Sequence, residues 1–173
     1  MDAETIKAAI RDVPDFPKPG ILFKDITPVL SDRDLFRASV DLFADHLADV
    51  KIDKVASIDA RGFLFGGALA DRLGAGLVPI RKKGKLPYSV VEKTYDLEYG
   101  TATLTVHEDA FEAGERVVLL DDVLATGGTA AASAALIEMV GGKVVEIDFL
   151  LELTFLNGRE KIRGYDIFCP IAF

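Results

Sequence analysis

The 173-residue chain carries one cysteine, two histidines, two methionines and no tryptophan. A lone Cys169 excludes an intramolecular disulfide and a cysteine zinc cluster. The fold must therefore stand on its core, and a reducing, cytoplasmic compartment is expected. Half of the residues are hydrophobic, yet no stretch reaches the roughly 18 uncharged apolar residues that a spanning helix needs. No membrane association is expected. Met1-Asp2-Ala3-Glu4 shows neither a basic n-region nor an apolar h-region, so no signal peptide is expected either. Positive charge is also short: 20 Lys+Arg against 28 Asp+Glu leave a net charge of −8. Nucleic-acid binding, which needs a basic footprint, is disfavoured. A phosphate ligand would require positive charge concentrated locally. No Gly-Lys-Ser or Gly-Lys-Thr occurs, and Gly74-Ala75-Gly76 fails to complete G-x-G-x-x-G at Pro79. Nucleotide hydrolysis and dinucleotide binding both lose support.

What is present is an alternation of short apolar runs and helical patterns. Three prolines and a glycine make Val13 to Gly20 a stiff extended segment. Ser31-Asp32-Arg33-Asp34 opens a helix in the manner of a capping box, and Leu35, Phe36, Val40, Phe43 and Leu47 form its apolar stripe. Strands are expected at Val55–Ile58, at Leu77–Ile80 with Pro79 in an irregular or end position, at Val117–Leu120 and at Val144–Leu153. Helices are expected at Gly62–Leu73 and Thr129–Val140. The pattern predicts an α/β, doubly wound, largely parallel sheet with helices on both faces, in one domain spanning residues 1–173. Ligands of such sheets lie beyond the strand carboxyl ends, here after Ile58, Ile80, Leu120 and, as a further candidate, Leu153. Thr101, Thr103 and Thr105 alternate with Ala102, Leu104 and Val106, which predicts one half-exposed arm of an antiparallel flap over about residues 84–105. About residues 1–34 precede the sheet as an N-terminal hood.

The strongest chemical signal follows Val117–Leu120. Asp121 and Asp122 end the expected strand, and Ala125-Thr126-Gly127-Gly128-Thr129 leads into a helix. Glycines let backbone N–H groups converge, Thr126 and Thr129 add hydroxyl donors, and the helix start adds partial positive charge. These make a cradle for a phosphate monoester. The two carboxylates sit where sugar hydroxyls can donate to them, which suits a ribose phosphate. An ordinary glycine-rich βα turn is the competing reading, and the Asp pair with both threonines argues against it. Elsewhere, Arg81-Lys82-Lys83-Gly84-Lys85 puts four cations into five residues at an expected strand end, fitting a diphosphate clamp better than a solvated turn. Arg61-Gly62 enters a helix, another anion-friendly geometry. His46 and His107 have no partner at ligand spacing and read as packed or solvated; Cys169 reads as inert.

The stretch Asp121 to Thr129 resembles the 5-phosphoribosyl 1-diphosphate (PRPP) motif of type I phosphoribosyltransferases. Phe16 to Pro28, Asp59 to Gly66 and Leu97-Glu98-Tyr99-Gly100 resemble signatures of the branch of that family that uses adenine. The resemblance implies transfer of a phosphoribosyl group from PRPP to adenine, giving AMP and pyrophosphate with Mg²⁺, in a homodimer. It assigns Asp121, Asp122, Ala125, Thr126, Gly127, Gly128 and Thr129 to PRPP, together with Arg61, Arg81, Lys82, Lys85 and Tyr99. Some of the basic side chains would reach across the dimer. Glu98 would handle the proton at purine N7, and Tyr99 would cover the site. Leu22, Phe23 and Lys24 would bind adenine, with Phe23 on the ring face and the backbone of Leu22 and Lys24 at its edge. The family often has Arg where this chain has Lys24. A non-proline cis peptide is expected at Ala60–Arg61. Transfer to another base, or a PRPP-sensing transcriptional regulator on the same fold, are the alternatives; the latter would need a DNA-binding surface.

Overall fold

The structure, a computed structural model, describes residues 1–97 and 100–173. Helix α1 (Ala3–Ala9) is capped by Asp2, whose carboxylate accepts from the Thr5 N–H. Strands β1 (Arg11–Pro14) and β2 (Leu22–Asp25) form a separate two-stranded antiparallel sheet, followed by α2 (Thr27–Ser31) and α3 (Arg33–His46). The main body then runs β3 (Lys54–Ile58), α4 (Gly62–Leu73), β4 (Gly76–Lys82), β5 (Val90–Asp96), β6 (Thr101–His107), β7 (Arg116–Leu124), α5 (Gly128–Met139) and β8 (Lys143–Glu152). Two 3₁₀ turns, β9 (Ile167–Phe168) and β10 (Ile171–Ala172) complete it.

The large sheet has the order β10-β8-β7-β3-β4-β6-β5, with β9 alongside β8. Pairing is parallel from β10 to β4 and antiparallel through β6 and β5. The chain leaves β3 for β4 on one side and later places β7 on the other, so the order reverses at β3. Crossover geometry opens a crevice at such a reversal, beyond the carboxyl ends of the two flanking strands. The loops after β3 and β7 both empty into it. Helices cover both faces. On one, α1, α3 and α4 bury Phe43, Phe65 and Leu69 against Val118, Leu120 and Leu150. On the other, α5 buries Leu136 and Ile137 against Leu119, Ile147 and Phe149.

The expected fold class holds, with local corrections. The helix opened by the 31–34 stretch is capped by Asp32, which accepts from Asp34 N and Leu35 N, while Ser31 ends the preceding helix. Residues 13–20 are not merely a stiff segment: Pro14 ends β1, and the rest is the loop of a hairpin, closed by Gly20 N donating to Asp15 Oδ1 at 2.7 Å. Pro79 lies within β4 rather than at an end. Gly76 and Ile80 bond toward β3, so Pro79 faces the opposite edge, where β6 joins only at Arg81 and Lys82. Its missing N–H costs no ladder bond there. The flap is continuous with the sheet, and Thr105 is buried rather than exposed, its hydroxyl donating to the Arg81 carbonyl at 3.0 Å. The non-proline cis bond is Asp59–Ala60, one residue before the expected one.

Candidate active site

Strand β7 does not end at the acidic pair, as expected, but runs on through Asp121 and Asp122 to Leu124. Both carboxylates nevertheless border the same crevice. Asp122 is 3% exposed and is ion-paired with Arg61 Nε. Asp121 Oδ1 accepts from the Asp122 N–H at 2.9 Å. Desolvation, then the neighbouring Asp122 carboxylate, push the Asp121 carboxyl well above its ordinary 3.8. Burial opposes the charge on Arg61, but the Asp122 carboxylate outweighs it and holds the guanidinium pKa above its usual value.

Close backbone approach sets this geometry. A Cβ on Gly62 would stand 2.8 Å from Asp121 Oδ1 and 3.1 Å from the Leu120 carbonyl, so only glycine lets α4 begin against the end of β7. The loop from Ala125 to Gly127 is held by a second contact that sequence reading missed. A Cβ on Gly127 would lie 2.2 Å from the Gly158 carbonyl, and one on Gly158 would lie 2.2 Å from the Ala125 carbonyl. Gly158 thus buttresses the loop backbone to backbone. Gly127 takes φ +78° and caps α5 without any side-chain hydrogen bond, so the first N–H groups of α5 remain available to a ligand.

Three adjoining cavities meet at these residues. A small one of about 70 Å³ is lined by Asp121, Ala125, Thr126, Gly127, Thr129 and Phe149, among others. A polar one of about 320 Å³ is lined by Asp59, Arg61, Lys82, Tyr95, Asp121, Asp122 and Thr129, among others. An apolar one of about 500 Å³ lies between Leu22, Phe23, Val123, Leu153, Phe155 and Leu156, with Arg61 and both aspartates at its floor. Arg61 therefore stands between polar and apolar chambers, its guanidinium 5.9 Å from the Phe23 ring.

The expected residues separate into groups. The phosphate-loop residues, Arg61, Lys82 and the Leu22–Lys24 segment come together as anticipated. Arg81 is turned aside: its Nε donates to Asp59 at 2.9 Å and its Nη1 to the Lys85 carbonyl at 3.2 Å. Lys85 itself is exposed on the turn after β4. Phe23 packs edge-on against Phe16, with centroids 5.1 Å apart, and still lines the apolar chamber. Lys24 Nζ is held by Asp12 at 2.5 Å and lies 4.0 Å from the Phe173 centroid. Its charge is spent on Asp12 of the hood. Glu98 and Tyr99 lie outside the described residues. His46 pairs with Glu146 at 2.8 Å and stacks on Phe168. Burial pushes the Cys169 thiol up to about 12, in keeping with an inert side chain.

The phosphoribosyl transferase domain family matches residues 29–171 of this sequence. The chain belongs to the phosphoribosyltransferase family. Over 173 residues, covering the whole of both chains, it is 56% identical to the adenine phosphoribosyltransferase of Thermoanaerobacter sp. (strain X514). The crystal structure of adenine phosphoribosyltransferase from Thermoanaerobacter pseudethanolicus superposes with a TM-score of 0.96 at 56% identity, covering 99% of each chain. That from Saccharomyces cerevisiae, complexed with an imino-altritol bisphosphate and adenine, has a TM-score of 0.93 at 42% identity, covering 96% of this chain and 97% of that one. Leu153, Phe155 and Leu156 line the apolar chamber, at the fourth strand end where ligand contacts were expected although no residue there was assigned a role. Their signal was positional only: they follow β8, whose carboxyl end faces the same crevice.

Proposed function

We propose that the three chambers divide the two substrates of one displacement between them, within a single catalytic unit of residues 1–173. The reaction is transfer of the 5-phosphoribosyl group from PRPP to adenine, forming AMP and pyrophosphate. The observation that carries the site assignment is the uncapped start of α5 directly beyond the Asp121–Asp122 pair. The Ala125–Thr129 loop would hold the 5′-phosphate. Asp121 and Asp122 would receive the ribose hydroxyls, and Arg61, Arg81, Lys82 and Lys85 would serve the diphosphate. Arg81 must then exchange its Asp59 contact for the ligand. As the diphosphate departs, positive charge grows on the ribose ring and negative charge on the leaving group. Arg61, between the polar chamber and Asp122, is placed to meet the second of these. Adenine enters the apolar chamber against Phe23, with the backbone of Leu22 and Lys24 at its edge. Glu98 would take its proton, since a carboxylate in a drier site is an effective acceptor, and the family resemblance assigns Tyr99 to covering the site.

The donor set fits a Mg²⁺ ion that arrives on the diphosphate. Among the described residues no three His, Cys, Asp or Glu side chains converge to hold a cation, and Asp122 and Asp59 are committed to arginines. Of the pair Asp121 and Asp122, Asp121 is the one left to hold the ion through water; when bound it would neutralise charge on the leaving group. A homodimer is supported by Leu64 on α4 and Leu77 near the start of β4, 49% and 46% exposed, the latter on the strand that carries Arg81 and Lys82 at its far end. A cytoplasmic setting accords with the free thiol of Cys169. The test is a panel of adenine, hypoxanthine, guanine, xanthine and orotate with PRPP and Mg²⁺, read by chromatography. AMP from adenine alone is the expected result. Product from another base at a comparable rate would overturn the assignment of the apolar chamber, and PRPP binding without any product would favour the regulator.

A further inference from the structure

Thr129 lines both the small phosphate cradle and the larger polar chamber, and its hydroxyl is not alone there. Tyr95, on the flap strand β5, places its phenol oxygen 3.0 Å from Thr129 Oγ1. The contact joins two elements separated by 34 residues and is partly buried. The Tyr95 ring lies over Gly128, its Cδ2 3.4 Å from where a Cβ would stand, an ordinary packing distance. Tyr95 packs with the core cluster under α5 and pairs with Ala102 across the flap, so its ring is fixed from behind.

A threonine hydroxyl has one hydrogen and two lone pairs. If Thr129 is to donate to a phosphate, that hydrogen must point into the cradle. A phenol, with a pKa near 10, is a far stronger donor and weaker acceptor than an alkyl hydroxyl. In this pair Tyr95 is therefore the donor. Its O–H occupies a lone pair of Thr129 Oγ1 and leaves the threonine hydrogen free to turn toward the phosphate. We propose that Tyr95 is a positioning residue for PRPP, which orients the Thr129 hydroxyl as a phosphate donor without touching the phosphate itself. The polarisation also strengthens the donated bond, since hydrogen bonds in series reinforce one another. No motif in the sequence marks Tyr95, and its distance from the phosphate loop along the chain hides the contact.

The inference rests on the assignment of Thr129 to the phosphate, and the test separates the two. Tyr95→Phe keeps the ring against Gly128 and removes only the hydroxyl. It is expected to raise the KM for PRPP roughly fivefold, as for one weakened hydrogen bond to a charged group. The KM for adenine and the melting temperature of the ligand-free protein should remain at wild-type values. In a Thr129→Ala background Tyr95→Phe should add nothing further, because the oxygen it orients is gone. A wild-type KM for PRPP in Tyr95→Phe, alongside a raised one in Thr129→Ala, would overturn the role of Tyr95 alone. A Tyr95→Phe effect that persists undiminished in the double variant would also overturn it, by showing that the Tyr95 hydroxyl acts independently of Thr129. A Thr129→Ala enzyme with an unchanged KM for PRPP would overturn the phosphate assignment and the proposal with it.

Discussion

Arg61 makes two demands on one side chain. It neutralises Asp122, which is 3% exposed, and it faces the chamber assigned to the diphosphate. Removing it leaves a buried carboxylate without a partner, a loss that typically costs about 3–5 kcal/mol. Arg61→Ala is thus expected to lower thermal stability and also to reduce kcat/KM for PRPP by about two orders of magnitude. Adding Asp122→Asn should restore much of the melting temperature, since an amide leaves no buried charge, but little of the activity. Calorimetry and steady-state kinetics on both variants separate the two roles; recovery of activity together with stability would show that Arg61 is only structural. Glu98→Gln probes a different event. It is expected to slow turnover with little change in PRPP affinity, because the amide cannot take the adenine proton; equal turnover would remove Glu98 from that role.

Elements show where sequence reading succeeded and why it thinned out. Central strands and the helices α4 and α5 were legible because burial on two faces demands continuous apolar runs. Strand β5 was missed: Glu92 to Thr94 are exposed, so its pattern carries no core-facing period. Helices α1 and α2 span seven and five residues, too short for a stripe to repeat. The phosphate loop was readable from its own residues, whereas its buttress at Gly158 was not, because a backbone contact leaves no side-chain pattern. Gly158→Ala should drive the new methyl into the Ala125 carbonyl and displace the loop. The KM for PRPP is expected to rise about tenfold or more, with circular dichroism still native. Strand β8 holds a second hidden feature. Both carboxyl oxygens of Asp148 are buried among the described residues without a hydrogen-bond partner, and desolvation, then Glu146, raise its pKa well above 3.8. In the unfolded chain the group ionises as pH passes 3.8, while in the native fold it resists. Its contribution to stability is therefore fully present below that pH and lost as pH climbs toward the native pKa. Asp148→Leu should raise stability by roughly 1–3 kcal/mol at pH 7.5, and by less at pH 4. Urea midpoints at the two pH values decide it; an equal gain at both would mean that packing, not ionisation, is responsible.

At the scale of the whole molecule the site is open toward the end of β4, and the chain must supply cations there against its own net charge of −8. Lys82 lines the polar chamber, but Arg81 is turned to Asp59, Lys83 to Glu92 at 2.8 Å, and Lys85 is exposed on the turn. Further back along the same strand, near its start, lies an apolar surface. Leu77 rests against Gly66 and Gly67 of α4, with contacts of 3.5 and 4.0 Å to the positions their Cβ atoms would take. Leu64 is one helical turn from Gly67, so the two exposed leucines flank one face. If that face is the dimer contact, the turn bearing Lys83 and Lys85 is carried to the boundary between copies, where it can serve the partner's diphosphate. Leu77→Asp combined with Leu64→Asp should then sediment near the chain mass of 18.7 kDa, against about twice that for the parent. Each copy would retain its own cradle, chamber and Arg61. Loss of kcat at saturating adenine, with far-ultraviolet dichroism unchanged, would be the mark of a shared clamp. A monomeric variant with full kcat would confine the diphosphate cations to one chain and leave the dimer as a matter of stability alone.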